Sequence, residues 1–221
     1  MTVPSIRAVV VDMDGLLIDT EPVWRTAARE ILAPLGIDLT DADLLEGTGV
    51  RVDEMTAAFL AKRPGPAPSP ATVADQITDQ VVAYVSRAGE PMPGVPEAIA
   101  LFERSGLRLA IASSSPERLI DAVCTRLKLD IDVRCSALDE PHGKPAPDVY
   151  LAAARRLQLR PACCLAIEDS PAGVLAAKNA GMTCVAVPDP LLTSDPRYRC
   201  ADLVLPSLTG LDDQTLRKLT T

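Results

Sequence analysis

The chain has 221 residues, enough for one substantial core and a smaller appended unit. Its 48% hydrophobic and 24% charged residues are typical of a globular protein and exclude a disordered one. A net charge of −8 argues against broad binding to nucleic acids or anionic membranes, because both require basic patches. We therefore expect neither partner.

The N-terminal segment has no long apolar run behind basic residues, so it does not resemble a secretion signal. No apolar run reaches the roughly 18 residues needed to span a bilayer. We expect a soluble, cytoplasmic protein, and a monomer because there is no coiled-coil pattern. The six cysteines show no CxxC spacing, which predicts buried, reduced thiols.

The first predicted element is a strand, Ala8–Val11, whose β-branched residues indicate burial on both faces. Residues 17–89 then show helical patterns and no convincing strand. The predicted helices are Pro22–Leu35, Arg51–Ala61 and Thr72–Ala88, with a stiff proline-rich loop at Pro64–Pro70. We interpret this region as a helical cap domain inserted after the first strand, where it can cover a ligand site.

After this insert, apolar runs alternate with helical patterns, which predicts a parallel sheet with helices on both faces. The strands are Leu107–Ala112, Cys163–Ile167, Thr183–Val187 and Leu203–Leu205, and the helices Pro96–Arg104, Pro116–Leu127, Pro147–Leu157 and Pro171–Ala180. The predicted fold class is therefore α/β, with a Rossmann-like core and a helical cap. We assign residues 1–16 and 90–221 to the core and residues 17–89 to the cap.

Two acidic residues, Asp12 and Asp14, follow directly on the first predicted strand. Carboxylates this close repel each other unless one is protonated or a cation lies between them. Taken alone, the motif is more often a turn, because Asp and Gly are common in turns.

Three further polar clusters precede predicted helices. The Ser113–Ser115 run offers hydroxyl and N–H groups that bind phosphate, although N-capping would explain one serine equally well. Lys144 lies in a loop between glycine and proline, and in isolation would be an ordinary surface charge. Glu168 and Asp169 follow a buried strand and are either capping acids or hard oxygen ligands for Mg²⁺.

The sheet topology brings these clusters together, because ligand sites of such sheets form at the carboxyl ends of the strands. They supply a nucleophile, an acid/base, hydroxyl donors, a cation and metal-ligating carboxylates, which is the set that phosphoryl transfer requires. His142 is the only histidine, so histidine triads and His-rich metal sites are excluded.

The segments DMDGLLIDTEP, IASSSP, GKPAPDVY and AIEDSPAGVLAAKNAGM, in this order, resemble the haloacid dehalogenase superfamily. Among its members the chain is most similar to the β-phosphoglucomutase-like phosphatases with a helical cap, and in particular to hexitol-phosphate and 2-deoxyglucose-6-phosphate phosphatases. The resemblance covers essentially the whole chain. It implies a Mg²⁺-dependent phosphatase acting on small sugar or polyol phosphates.

The resemblance also implies roles for the acidic residues. Asp12 would attack phosphorus and form an aspartyl phosphate. Asp14 would protonate the leaving oxygen and then accept a proton from water. Mg²⁺ would be held by the Asp12 carboxylate, the Asp14 backbone carbonyl and Asp169, with Glu168 assisting.

For the remaining residues, the resemblance implies binding roles. Ser113 and the Ser114 backbone would hold phosphoryl oxygens, and Lys144 would balance the charge on Asp12 and phosphate. The cap would contact the sugar, for which the candidates are Glu21, Trp24 and Arg51. Surface charge or cap packing explains those three equally well, because lids vary freely.

Two other functions stay open at this point. A hexose-phosphate mutase would move phosphate between two carbons, but β-phosphoglucomutases carry a histidine near the position of Trp24. A non-enzymatic phospho-acceptor module would need neither Asp14 nor a cap. A dehalogenase is disfavoured because Asp14 would serve to protonate a departing oxygen, and it has no such role when a halide leaves.

Overall fold

The computed structural model describes residues 5–62 and 68–220. Residues 64–67 of the predicted proline-rich loop lie outside these ranges. Among the described residues, none of the helices combines the length and the apolar character that crossing a membrane would demand.

Six parallel strands form one sheet in the described part of the chain. They are β1 (Ala8–Val11), β2 (Arg108–Ser113), β3 (Val133–Ser136), β4 (Cys164–Glu168), β5 (Thr183–Ala186) and β6 (Leu203–Val204), in the order β3-β2-β1-β4-β5-β6. The strand order reverses between β1 and β4, so a crevice opens at their carboxyl ends. This confirms the predicted Rossmann-like sheet and adds β3, which the sequence analysis did not predict.

Between β1 and the rest of the core, the described residues form four α-helices. They are α1 (Glu21–Leu32), α2 (Asp41–Glu46), α3 (Val52–Ala61) and α4 (Pro70–Ala88). Helix α2 was not predicted, although Thr40 and Asp43 form a capping box at its start, in which the Thr40 hydroxyl accepts from the Asp43 N–H. These helices share a hydrophobic cluster that includes Leu32, Phe59 and Ile77.

The core helices cover both faces of the sheet. They are α5 (Val95–Arg104), α6 (Glu117–Leu127), α7 (Asp148–Arg156), α8 (Pro171–Asn179) and α9 (Asp213–Thr220), the last of which was not predicted. Val9 and Val11 point into a cluster with α5 and α6, whereas Ala8 and Val10 point into a cluster with α7 and α8. The end of β1 is therefore fixed from both sides.

Five of the six cysteines are buried, as expected, and all six are free thiols. Cys200 is the exception because it is exposed. Burial raises the pKa of the Cys164 thiol to about 11.

Candidate active site

Three buried carboxylates meet at the crevice between β1 and β4. Asp12 follows β1, Glu168 ends β4, and Asp169 comes next, with one oxygen of each lying within 4.8 Å of the others. The Asp12 N–H donates to the Ile167 carbonyl at 2.9 Å, which fixes its position beside β4. Burial raises the pKa values of Asp12 and Asp169 well above their usual range, and the neighbouring carboxylates add to the effect. The cluster therefore requires a compensating cation.

Lys144 supplies one positive charge inside this cluster. Its ammonium group donates to Asp12 Oδ1 at 2.5 Å and to Glu168 Oε1 at 2.6 Å, and its side chain is 1% exposed. Burial alone would lower the pKa of Lys144, but the Asp12 and Glu168 carboxylates outweigh it and raise the pKa. Lys144 is therefore held in the charged form, as a fixed partner of Asp12.

Both oxygens of the Glu168 carboxylate accept hydrogen bonds from other groups of the protein. Oε1 accepts hydrogen bonds from Lys144 and from the Tyr150 hydroxyl, the latter at 2.6 Å. Oε2 accepts from the backbone N–H of Ser170 at 3.3 Å and from its hydroxyl at 3.2 Å. A Cβ on Gly173 would lie 1.9 Å from Oε1, so only glycine leaves room for this carboxylate. These contacts hold Glu168 against Lys144 and leave its oxygens bonded within the protein.

Asp169 differs from Glu168 because Oδ2 is buried and has no hydrogen-bond partner among the described residues. The Gly15 turn, with φ of +73°, approaches so closely that a Cβ there would lie 2.2 Å from this oxygen. An unpaired buried carboxylate oxygen is costly unless a cation binds it. Together with the hard oxygens of Asp12, this donor set fits Mg²⁺.

Four side chains hold the Asp14 carboxylate. Oδ1 accepts from the Thr20 hydroxyl at 2.6 Å and from the Trp24 indole N–H at 2.9 Å. Oδ2 accepts from the Ser115 hydroxyl at 2.7 Å and is 3.4 Å from the Ser113 hydroxyl. Ser113, predicted to bind phosphate, and Trp24, predicted to contact sugar, thus both bond to Asp14. Sequence reasoning gave no role to Thr20, although it lies within the DTEP segment.

The loop before α3 contacts the core directly. The Ser114 hydroxyl donates to the Gly49 carbonyl at 2.8 Å. Arg51 Nη1 donates to the carbonyls of Ala137 and Glu140 at 3.2 and 3.1 Å. Arg51 was a candidate for sugar binding, but the structure places it in this contact with the core and outside the lining of the cavity.

A cavity of about 60 Å³ lies between the carboxylates and the helical insert. Of the predicted site residues it is lined by Asp12, Asp14, Glu21, Trp24, Ser114 and Asp169. Thr48, which sequence reasoning missed, also lines it, and its hydroxyl is buried without a partner among the described residues. Burial and the nearby Asp14 carboxylate raise the pKa of Glu21 to about 7. The cavity thus joins the acidic cluster to polar groups from the insert.

A Rossmann-like sheet with carboxylates and a lysine at its carboxyl edge defines an α/β enzyme. Residues 6–181 match the model of the haloacid dehalogenase-like hydrolase family. The chain belongs to this family, which confirms the resemblance found in its sequence motifs.

Known proteins support the assignment along nearly the whole chain. Hexitol phosphatase B of Escherichia coli K12 is 38% identical over 215 residues, covering 96% of this chain and 97% of the relative. The crystal structure of CbbY from Rhodobacter sphaeroides with phosphate has a TM-score of 0.84 and 31% identity, covering 96% and 99% of the two chains. A β-phosphoglucomutase structure from Clostridium difficile has a TM-score of 0.85, covers 97% of each chain and, at 23% identity, shows the fold alone. The protein is an enzyme of the phosphatase class, a phosphoric monoester hydrolase.

Proposed function

We propose that this enzyme hydrolyses small sugar or polyol phosphates with Mg²⁺, through an aspartyl phosphate on Asp12. The observation that carries the proposal is the pairing of Asp12 with Lys144 beside Glu168 and the unpartnered Asp169 oxygen. A buried carboxylate so placed is held in one orientation at the crevice where this fold binds ligands. The hexitol phosphatase among the relatives supports the substrate class.

Charge explains why Asp12 can act as the nucleophile. An anionic carboxylate and an anionic phosphate repel each other, and in a water-excluded site this repulsion is strong. The Lys144 ammonium, bonded to Asp12 Oδ1, offsets part of it. Because Lys144 also donates to Glu168, which the Tyr150 hydroxyl holds in turn, the ammonium needs no reorganisation when the substrate arrives.

Asp14 is proposed to serve as the acid and then the base. Its carboxylate lines the cavity next to Asp12 and is held by four donors, so its position is fixed before the substrate binds. As the phosphorus–oxygen bond of the substrate breaks, the departing oxygen takes the proton from Asp14 and leaves as an alcohol. Asp14 then takes a proton from the water that attacks the aspartyl phosphate, which releases inorganic phosphate.

The proposed Mg²⁺ ligands are the carboxylates of Asp12 and Asp169 and the backbone carbonyl of Asp14. Glu168 assists from nearby through Lys144, since its oxygens are already bonded within the protein. When bound, the ion would neutralise charge on the phosphoryl oxygens. The Ser113 hydroxyl and the Ser114 backbone are proposed to hold these oxygens.

We further propose that residues 17–89 form a cap over a core of residues 1–16 and 90–221. The separate hydrophobic cluster of the inserted helices supports this division. The end of α4 is shared, however, because Val81 and Val85 pack into the core cluster. A cytoplasmic location and a monomeric state remain proposals that rest on the sequence.

The decisive experiment measures phosphate release from a panel of hexitol, sugar and glycerol phosphates. The Asp12→Asn variant and wild type in EDTA should both release none, while the matched variant Asp19→Asn, at an exposed acid near the same motif, should keep wild-type activity. Turnover by Asp12→Asn would refute the nucleophile. Transfer of phosphate to a second carbon without release would indicate a mutase.

A further inference from the structure

Thr48 differs from two other buried threonines of the inserted helices. The hydroxyls of Thr56 and Thr78 donate to the carbonyls of Val52 and Ala74, each at 2.8 Å, one helical turn earlier. Thr48 lies in the turn between α2 and α3, and its hydroxyl is buried without a hydrogen-bond partner among the described residues. A buried hydroxyl without a partner costs free energy, so a bound group that bonds to it would recover that cost.

The position of this hydroxyl links it to the candidate active site. In the described part of the chain, two buried side-chain atoms have no hydrogen-bond partner, Asp169 Oδ2 and Thr48 Oγ1, and both residues line the same cavity. Asp169 belongs to the core and Thr48 to the insert, so the two residues reach the cavity from different sides. Such unpaired groups are rare in folded proteins, and two at one cavity indicate that the partner of each arrives with a ligand.

The charges along the cavity decide which kind of group can bond to Thr48. In the described residues its lining has one cationic side chain, that of Arg25, and four carboxylates, those of Asp12, Asp14, Glu21 and Asp169. Arg25 Nη1 donates to Glu21 Oε2 at 3.3 Å and lies 3.9 Å from Asp189 Oδ2. A second phosphate on the substrate would therefore meet like charges. A hydroxyl would not, because it can both donate and accept.

We propose that Thr48 is a specificity-determining residue whose hydroxyl bonds to a hydroxyl on the uncharged polyol end of the substrate. The proposal rests on the proposed function and narrows its substrates to monophosphates whose other end is uncharged and hydroxylated. The cavity of about 60 Å³ offers roughly the space of two water molecules. The turn that carries Thr48 therefore moves outward to admit the substrate and then bonds to it.

The test compares a substrate whose leaving group carries hydroxyls with one whose leaving group has none. Thr48→Val keeps the branched shape and removes the hydroxyl, so kcat/KM for the best hexitol phosphate should fall by about 3-fold to 10-fold, the effect of one hydrogen bond between uncharged groups. For p-nitrophenyl phosphate the change should stay below about 2-fold. Thr48→Ser keeps a hydroxyl and should retain most of the hexitol phosphate activity.

Stability measurements separate this binding role from a structural one. Because the Thr48 hydroxyl has no partner in the described residues, Thr48→Val should have a urea midpoint equal to or above that of wild type. The matched control is Thr78→Val, the same change at a buried threonine outside the lining of the cavity, which should keep wild-type kcat/KM on both substrates. A lower urea midpoint for Thr48→Val, equal losses on both substrates, the same selective loss in Thr78→Val, or loss of hexitol phosphate activity in Thr48→Ser would each overturn the proposal.

A third substrate tests the uncharged end. For wild type, the 1,6-bisphosphate of the same hexitol should have a kcat/KM at least about 10-fold below that of the monophosphate, because its second phosphate meets carboxylates. Equal values for the two would overturn the uncharged end.

These assays also separate the proposal from the proposed function. If wild type hydrolyses hexitol phosphates and Thr48→Val matches it on both substrates, only the role of Thr48 is wrong. If wild type releases no phosphate from any hexitol phosphate, the proposed function fails and the role of Thr48 fails with it.

Discussion

Adding one methyl group at Gly173 perturbs the buried ion pair without touching a charged residue. Gly173 lies in the first turn of α8, where alanine would ordinarily stabilise the helix by about 1 kcal/mol. Here the new Cβ would lie 1.9 Å from Glu168 Oε1 and 2.1 Å from Oε2. For Gly173→Ala, helix propensity therefore predicts a higher unfolding free energy, whereas packing predicts a lower one.

Packing should win. The carboxylate must move away from Lys144 and Tyr150, and breaking a buried ion pair costs about 3–5 kcal/mol. After the gain in propensity, the net loss of unfolding free energy should be about 2–4 kcal/mol. For a chain of this size that corresponds to a Tm lower by roughly 4–16 °C.

Urea and thermal unfolding measure the stability, and phosphate release measures the site. Gly210→Ala is the matched control, because its nearest neighbour would be 3.6 Å away, an ordinary contact, and its stability should match wild type. We expect Gly173→Ala also to lose most activity, since Lys144 loses its anchor. A Gly173→Ala protein as stable and active as wild type would refute the reasoning.

Two more predictions concern charge. Lys144→Met leaves the Asp12 and Glu168 carboxylates buried without their cation, so it should lower the unfolding free energy by about 3–5 kcal/mol and abolish phosphate release. The control is Lys62→Met, at an exposed lysine. Equal urea midpoints for the two variants would contradict the role of the buried ion pair. Burial and Asp14 raise the pKa of Glu21 from 4.5 to about 7, so its stabilising contribution is complete below about pH 4.5 and is lost as pH rises through about 7. Glu21→Gln should therefore become more stable relative to wild type, by up to about 3 kcal/mol in EDTA, between about pH 5 and about pH 8; a stability difference that does not grow with pH would contradict the shift.

The sheet was predictable where strands are apolar throughout. The runs that form β1 and β4 are buried along their whole length, and both were predicted. Strand β3, with the sequence VRCS, is half-buried in its first two residues and lies at the sheet edge, so it lacks both a continuous apolar run and a clear alternation. Helix α2 has only six residues, too few for a helical period to show.

The sequence predicted which residues gather at the candidate site but not the hydrogen bonds that hold them there. Motif order predicted that Asp12, Lys144 and Asp169 lie at one edge because parallel strands end together, and the structure brings these three side chains close to one another. The bond from Tyr150 to Glu168 joins a helix to the end of a strand, and no spacing in the sequence specifies such a pair. The environment of Thr48 depends on how the insert sits on the core, which is likewise a property of the fold.

Three hydrogen bonds between the insert and the core are made to main-chain carbonyls, those of Gly49, Ala137 and Glu140. Of the two donors, Arg51 does not line the cavity and Ser114 lines it from the core side. Cavity-lining side chains of the insert can therefore be exchanged without altering these three hydrogen bonds. Such a division lets one scaffold diversify its substrate range by a few point substitutions, and it marks Thr48 as the place where redesign should begin.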